Sequence, residues 1–283
     1  MHLKAAAAAV FCVALSVSLS ASGHGPVFGG ATPTLGKGGW QFDQAWMGRS
    51  TQETMEQTLR SMISFGVTER VQLSTSVPIP LTTGSQPPMG RMTATMADAP
   101  NLEVTAAWRF HVRQVGAGAR FESTLSGGGS VPTVARRGGI ASSPSAVIAI
   151  ASGYASRSHY FWAGTGYEKR VERDGDKWGD VGYYSIVYGY RPPALRLDYP
   201  KPDLRFFVEA SGEVNRHALR GGVQDINSGN RLLLVGPTTL LLYKQYALAG
   251  GVLFPVYQRA NGSQPREGAR VVVNASYFFW LNR

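Results

Sequence analysis

Two short stretches of this chain carry the residue types that nucleophilic catalysis uses. Ser158 directly precedes His159, and Asn215 stands two residues before His217. A serine nucleophile needs a base within hydrogen-bond reach, and that base needs a third group that orients it. Neighbouring residues of a strand face opposite sides, so Ser158 and His159 are poorly placed to cooperate. His217 falls in a predicted loop, where an enzyme acting on lipids would work. We predict that the protein is not an enzyme, and a lipid-acting enzyme that uses His217 stays as an alternative.

Metal ligation has one candidate residue, His24. Cleavage of a leader directly before it would free its amine beside its imidazole, a chelating pair suited to copper. An ordinary loop histidine is the other interpretation. His111, His159 and His217 show no metal-ligand spacing. The acidic segment 172–176 lacks the full ligand series of a calcium loop. We therefore predict no metal site and no cofactor, and the question of copper at His24 stays open.

Polar and charged side chains alternate with apolar ones along several strand-like runs, which places the charges on one face of each strand. In 101–111 the apolar residues occupy the even positions, and 203–215 alternates in a similar way. Inside a closed barrel such charges could set the field of a pore and select solutes, as charged rings do in channels. They could equally pair across the interior and close it. The predicted lumen-lining residues are Glu103, Arg109, Arg120, Glu122, Arg205, Glu209, Glu213 and Arg270.

The last stretch, 269–281 (ARVVVNASYFFWL), shows most clearly which elements would carry these charges. One of its two registers is wholly apolar or aromatic, whereas the other begins with Arg270 and contains Asn274 and Ser276. This alternation predicts a strand with two unlike faces. Its length suits a tilted transmembrane strand of about 9–11 residues. The aromatic residues at its end resemble an interfacial girdle. The last strand of a soluble β-sandwich is the alternative.

Turn signals divide the chain into further strand-like runs. The twelve predicted strands are 39–47, 59–66, 70–79, 101–111, 115–125, 145–154, 159–170, 178–190, 203–215, 232–243, 245–256 and 269–281. The connections between them alternate in length. Long ones (48–58, 80–100, 126–144, 171–177, 216–231, 257–268) alternate with short ones (67–69, 112–114, 155–158, 244), and only 191–202 is too long for its place. Outer-membrane barrels have long external loops and short periplasmic turns, whereas a Greek-key sandwich has no reason to separate them.

The first 23 residues predict a secretory signal peptide, with Lys4 before an apolar run and small residues at its end. The single cysteine, Cys12, lies inside this leader, so the predicted mature chain has no disulfide. Loss of the leader takes the formal charge from +10 to +9. The basic residues are scattered rather than gathered on a helix face, and the chain is exported, so we expect no nucleic-acid partner. An anionic solute or an anionic lipid surface suits this charge better.

Three stretches carry a resemblance to a known family. They are 24–43 (HGPVFGGATPTLGKGGWQFD), the tight turn 65–73 (FGVTERVQL) and 229–256 (GNRLLLVGPTTLLLYKQYALAGGVLFPV). They resemble outer-membrane transporters of the family named for the meta-cleavage pathway of phenol degradation. The resemblance implies a transmembrane β-barrel and a transport-like role, and we carry over no phenolic substrate.

Together these observations predict an all-β fold, a transmembrane antiparallel β-barrel of about twelve strands in the cell outer membrane. The signal peptide covers 1–23, an extended lead-in rich in Gly and Pro covers 24–38, and the barrel covers 39–283. The predicted function is porin-like passage of small, hydrophobic or aromatic solutes, with outer-membrane lipid as the surrounding partner. The long loops 80–100 and 126–144 would gate it. A structural or binding barrel with a plugged lumen is the first alternative. The sequence does not define the solute, the oligomeric state or whether the lumen is open.

Overall fold

A computed structural model describes residues 25–52, 54–82, 91–93, 96–97, 101–137, 139–197 and 200–281. The predicted signal peptide and His24 lie outside the described residues, as does most of the predicted gating loop 80–100. Among the described residues, no helix is long and apolar enough to cross a membrane.

Twelve antiparallel strands close into a barrel, each bonded to its neighbours in sequence order and the last bonded to the first. They are β1 Gly39–Thr51, β2 Met55–Gly66, β3 Val71–Pro80, β4 Asn101–Gly116, β5 Ala119–Pro132, β6 Ser145–Ala155, β7 His159–Arg170, β8 Val181–Tyr190, β9 Asp203–Asn215, β10 Asn230–Tyr243, β11 Tyr246–Ala260 and β12 Glu267–Trp280. The predicted twelve-stranded antiparallel barrel is confirmed.

The outer surface of the barrel is apolar and its interior is polar, the reverse of a soluble protein. Outward side chains such as Val104, Ile148 (58% exposed) and Val208 (55% exposed) face out along their strands. Inward positions on the same strands hold buried charges, such as Glu103 on β4 and Glu209 on β9. A closed sheet with this pattern satisfies its backbone internally and presents hydrocarbon to lipid.

Three predicted connections are wrong because the strands continue through them. The connection predicted at 48–58 shrinks to 52–54, since Arg49 and Glu56 are directly opposite each other inside the barrel and form an ion pair of 2.5 Å. The turn predicted at 112–114 lies instead at 117–118, where Gly118 has the positive φ (+71°) that a two-residue turn requires.

The third wrong connection is the start of the predicted gating loop 126–144. Its glycines belong to β5, which continues to Pro132 and pairs with both β4 and β6. A Cβ atom at Gly128 would stand 2.2 Å from the carbonyl oxygen of Val104, so only glycine lets β4 and β5 approach this closely. The connection itself begins at residue 133.

One rim of the barrel carries the longer loops, 81–100, 133–144, 171–180 and 216–229, and the other carries mostly tight turns. The connection 191–202, which contains a short 3₁₀ turn at Pro193–Leu195, is the exception on the tight side. By the asymmetry of outer-membrane barrels, the rim with the longer loops faces outward.

Residues 25–37, which belong to the lead-in predicted at 24–38, lie inside the barrel and have no regular secondary structure. We call residues 25–37 the lead-in. Phe28, Thr32, Thr34 and Leu35 are at most 4% exposed, because the wall of the barrel surrounds them on all sides. The lead-in therefore occupies much of the room that twelve strands leave at the centre, a wider interior than eight strands would enclose.

The apolar exterior gives the first prediction. Ile150, the middle residue of β6, faces lipid (42% exposed). We expect Ile150→Arg to lower the free energy of unfolding in lipid vesicles by about 2–4 kcal/mol, because a charge is costly near the bilayer midplane. The control Ile150→Val should change it by less than about 1 kcal/mol. An unchanged stability in the arginine variant would contradict the membrane-spanning placement of β6.

Candidate functional site

Glu209 of β9 holds the lead-in from the barrel wall. Its carboxylate accepts the backbone N–H groups of Val27 (2.7 Å), Phe28 (2.9 Å) and Gly29 (2.7 Å) and the hydroxyl of Thr238 (2.5 Å). Three consecutive N–H groups converging on one carboxylate form a concave backbone site for an anion. An ionised glutamate can accept all four donors, whereas an amide cannot, because one of its two terminal atoms is a donor.

A second set of hydrogen bonds holds the lead-in further along. The Thr32 hydroxyl donates to Glu122 (3.2 Å) and accepts from the Trp162 indole N–H (3.2 Å), and the Thr32 carbonyl accepts from Thr124 (2.6 Å). Gln72 accepts the backbone N–H of Leu35 (2.8 Å). These contacts reach strands β3, β5 and β7, so the lead-in crosses the lumen rather than following one strand.

Two apolar seats in the wall receive side chains of the lead-in. Phe28 packs into a cluster formed by Ala45, Met47, Leu232, Leu234, Leu253 and Val272. Leu35 packs into a second cluster, with Tyr160, Trp162, Val187, Phe207, Leu240, Ala247 and Phe278. The lumen is therefore partly apolar, which the prediction of a charge-lined interior missed.

The sequence of β10 contains a pattern that indicates these two apolar seats. Its alternation is poor because both of its faces are apolar, with Leu232, Leu234 and Leu240 directed inward to the seats and the other register directed to lipid. Pro237 faces outward where the pairing of β10 with β11 is interrupted, so its missing N–H interrupts no ladder bond to that strand.

Arg91, from the connection 81–100, links the outer part of the lumen across the barrel. Its guanidinium lies 2.7 Å from Glu168 of β7 and 3.5 Å from Glu103 of β4. Its backbone N–H donates to Glu213 of β9, and its carbonyl accepts from Arg270 of β12. Arg270 in turn pairs with Glu213 (2.6 Å) and with Glu267. We call this set, with Arg170 beside Glu168, the outer charge network.

The eight predicted lumen residues fall into separate groups rather than one ring. Glu103, Glu213 and Arg270 belong to the outer charge network, and Glu209 holds the lead-in. The other four lie nearer the opposite rim. There the Glu122 carboxylate accepts a hydrogen bond from Arg109 (3.0 Å) and forms an ion pair with Arg120 (3.0 Å). Arg205 forms an ion pair with Asp203 (2.8 Å), and its guanidinium lies over the Tyr160 ring. Sequence reasoning missed Glu168 and Arg170, although the same alternation along β7 marks both as inward.

A cavity of about 260 Å³ remains beside the lead-in. Asp43, Arg60, Arg91 and Glu103 line its polar side, and Val147, Ala151, Leu240 and Val272 are among its apolar lining residues. Arg60 is buried, and two of its guanidinium nitrogens have no hydrogen-bond partner among the described residues. The lumen thus keeps space for a small ligand beside the lead-in.

The outer loops are tied to one another above the network. The Asp176 carboxylate accepts the N–H of Ala141 (2.9 Å) and of Gly221 (2.9 Å), which joins the connections 133–144, 171–180 and 216–229. These bonds, from Gly221 first and then from Ala141, lower the pKa of Asp176 below its ordinary value. The residues Ile140, Trp178 and Ala218 form a small core beneath the same loops.

The histidines considered for catalysis have hydrogen-bond partners other than a serine. His217 Nδ1 lies 3.1 Å from the Asp225 carbonyl, and its Nε2 lies 3.4 Å from the Asn261 amide. His159 pairs with the Tyr188 hydroxyl at 3.0 Å, and the neighbouring Ser158 accepts from Arg196. Within the described part of the chain, neither imidazole has a hydrogen bond to a serine hydroxyl, and no cluster of three or more metal-ligating side chains occurs.

Solved structures share this architecture. The COG4313 outer membrane channel from Pseudomonas putida F1 matches with a TM-score of 0.64 and 10% identity, over 89% of this chain and 100% of that chain. The NanC porin matches with a TM-score of 0.52 and 10% identity, over 83% of this chain and 98% of that chain. No protein-family model and no curated protein sequence matches. The resemblance to the phenol meta-pathway family therefore stays a prediction.

The closed sheet, the apolar exterior and the shared architecture define the class of this protein. It is a twelve-stranded transmembrane β-barrel of the outer membrane. Its distinctive site is the lumen, where the lead-in and the outer charge network meet.

The outer charge network gives a second prediction. Arg270 is 1% exposed, and its removal leaves Glu213 and Glu267 buried without their main cation. We expect Arg270→Met to lower the free energy of unfolding in vesicles by about 3–5 kcal/mol. Adding Glu213→Gln and Glu267→Gln should restore much of the loss. The exposed Arg266→Met is the control, and a loss no larger than that control would contradict a coupled network.

The loop bonds to Asp176 give a third prediction. A carboxylate whose pKa is lowered by folding stabilises the folded form above its unfolded pKa of about 3.9, and this contribution is lost as pH falls through the lowered value. At pH 6, Asp176→Asn should speed hydrogen exchange at the amides of Ala141 and Gly221 about tenfold. Below the lowered pKa the variant and the wild type should converge. The exposed Asp174→Asn is the control, and a difference that persists at low pH would contradict the assignment.

Proposed function

We propose that this barrel passes small hydrophobic or aromatic solutes across the outer membrane and that the lead-in is its movable plug. The observation that carries the proposal is the pair of apolar seats. Phe28 and Leu35 of a segment without secondary structure occupy hydrophobic positions in the wall of the lumen. When the lead-in moves away, these seats are free for an apolar solute of similar size.

The attachment of the lead-in suits a reversible plug. It is held by hydrogen bonds and side-chain packing, and its strongest polar tie is one carboxylate, Glu209, that accepts three backbone N–H groups. Each hydrogen bond to a charged group contributes about 1.5–3 kcal/mol. A passing solute that fills the seats offsets part of the apolar contact that the lead-in loses, at about 25 cal/mol per Å² of buried apolar surface.

The eight charged residues predicted from the alternation have different roles in this proposal. Glu209 and Glu122 hold the lead-in, and Arg109 and Arg120 keep Glu122 in place. Glu103, Glu213 and Arg270 hold Arg91 and thereby close the outer side of the lumen. Arg205 stands at the rim of the tight turns and favours anionic groups there. In this proposal the same charges also select among the solutes that enter the lumen.

A permanently plugged binding barrel is the second candidate, favoured by a different observation. The interior charges are matched mainly by one another, as in the pairs of Glu122 with Arg109 and of Glu168 with Arg91. In that case the cavity beside Arg60 binds a small ligand without passage. Neutralising Arg109 or Arg205 would then lower stability and leave solute passage at zero, whereas in a channel it would shift the selectivity between anions and cations.

The fourth prediction tests the plug. We expect Glu209→Gln to raise conductance in planar bilayers and to speed swelling of vesicles in apolar solutes. Since the amide loses about 1.5–3 kcal/mol of acceptor strength, the open population should rise roughly ten- to hundredfold. Phe28→Ala should raise the swelling rate further for apolar solutes, because it vacates a seat.

The matched control is Asp203→Asn, the same kind of change on the same strand, because Asp203 pairs with Arg191 and Arg205 and not with the lead-in. Each variant is first run on a detergent gel with and without boiling. A folded barrel changes its mobility when it is heated, so this change shows that the variant folds. If folded Glu209→Gln conducts no more than wild type, the lead-in is not the plug. If no variant passes any solute, the binding barrel is the better account.

A further inference from the structure

The outward face of β10 and β11 carries a pair of arginines directly opposite each other. Arg231 and Arg259 are cross-strand partners in the sheet, and both side chains are exposed. Neither has an ion pair or hydrogen bond through its side chain to any described residue. Like charges at directly opposite positions repel each other, with Cβ atoms about 5 Å apart. An anion from outside the chain would therefore stabilise this arrangement.

Acidic side chains that could supply the anion are missing from the outward positions of the described strands around this pair. In the part of the chain that the structure describes, the outward positions of the twelve strands carry no Asp or Glu, since those on the strands point inward and are buried. A third arginine, Arg216, directly follows β9, and its side chain is exposed. Its backbone N–H donates a hydrogen bond to the carbonyl oxygen of Asp180. We call Arg216, Arg231 and Arg259 the outer arginine patch.

The height of the patch places it at a lipid headgroup. At their other ends the same two strands pair Tyr243 with Tyr246, both exposed. Tyr243 and Arg231 are twelve positions apart on the same strand. With a rise of about 3.3 Å per residue and a tilt of about 40°, this separation spans about 30 Å along the bilayer normal. This equals the hydrocarbon thickness of a bilayer. The tyrosines therefore lie at one interface, as aromatic girdles do, and the arginines at the other.

The surface between these levels suits acyl chains. Directly below the arginines, toward the membrane centre, the outward side chains are Leu233, Val235, Phe254 and Tyr257. The patch lies on the rim with the longer loops, which faces the outer leaflet. A basic site above an apolar strip fits an amphiphile whose anionic head is at the arginines and whose chains lie on the barrel.

We propose that the outer arginine patch binds the phosphate group of a phosphorylated lipid in the outer leaflet. Guanidinium groups bind phosphate oxygens in bidentate fashion, and a phosphate between Arg231 and Arg259 would remove their repulsion. The site lies on the lipid-facing wall and is separate from the lumen, so it does not depend on whether the lumen conducts.

The test uses the full mature barrel in nanodiscs of phosphatidylcholine that contain a minor fraction of lipid A, a diphosphorylated acylated disaccharide. After extraction into detergent, the lipid A that remains bound is counted by native mass spectrometry. We expect wild type to retain it in preference to the same lipid with its phosphates removed, and the double variant Arg231→Gln with Arg259→Gln to retain about tenfold less.

The control is Arg113→Gln, an exposed arginine on the hairpin at the opposite rim, which should retain lipid A as wild type does. Every variant must show the heat shift of a folded barrel. Equal retention by wild type and the double variant would overturn the proposal. Equal retention of lipid A and of its dephosphorylated form would also overturn the proposal. The same holds if inorganic phosphate displaces bound lipid A as effectively as added lipid A does, because the site would then bind a free ion.

Discussion

A sheet inside a bilayer has no water with which to satisfy its backbone, so each N–H and C=O must bond to a neighbouring strand. The closure of β12 onto β1 meets this requirement over the whole circumference. It also reverses the usual distribution of side chains, with Val208 and Ile148 outside and Glu209 and Glu168 inside. Twelve strands leave an interior too wide for the wall side chains alone to fill. The lead-in and Arg91 of the connection 81–100 fill much of it.

The interior combines two kinds of contact that respond differently to change. The outer charge network is made of mutually paired, buried ions, and such pairs are costly to break singly. The lead-in rests on two apolar seats and on hydrogen bonds to Glu209, Glu122 and their neighbours, and a solute can replace the apolar part of that contact. The proposed function therefore assigns movement to the lead-in and a fixed role to the outer charge network.

Much of the fold could be predicted from the sequence, because a barrel wall has a period of two and turns carry their own signals. The connections failed where polar or glycine residues belong to strands. Arg49 and Glu56 suggested a loop but pair inside the barrel, and Gly128 suggested a loop but permits a close strand contact. The lumen was predicted only in part. Alternation can mark Glu209 as inward, but no local pattern shows that its partner is the backbone of residues 27–29, about 180 positions away.

The most direct test of the plug is a reversible tether between the lead-in and the wall. A Cβ atom at Gly29 would stand 3.4 Å from the Ser185 Cβ, within reach of a disulfide, and Val187→Ala removes the side chain that would crowd it. We would measure vesicle swelling in an apolar solute for Gly29→Cys with Ser185→Cys and Val187→Ala, oxidised and then reduced. The account predicts no passage in the oxidised form and full recovery on reduction. Equal passage in both forms would contradict it.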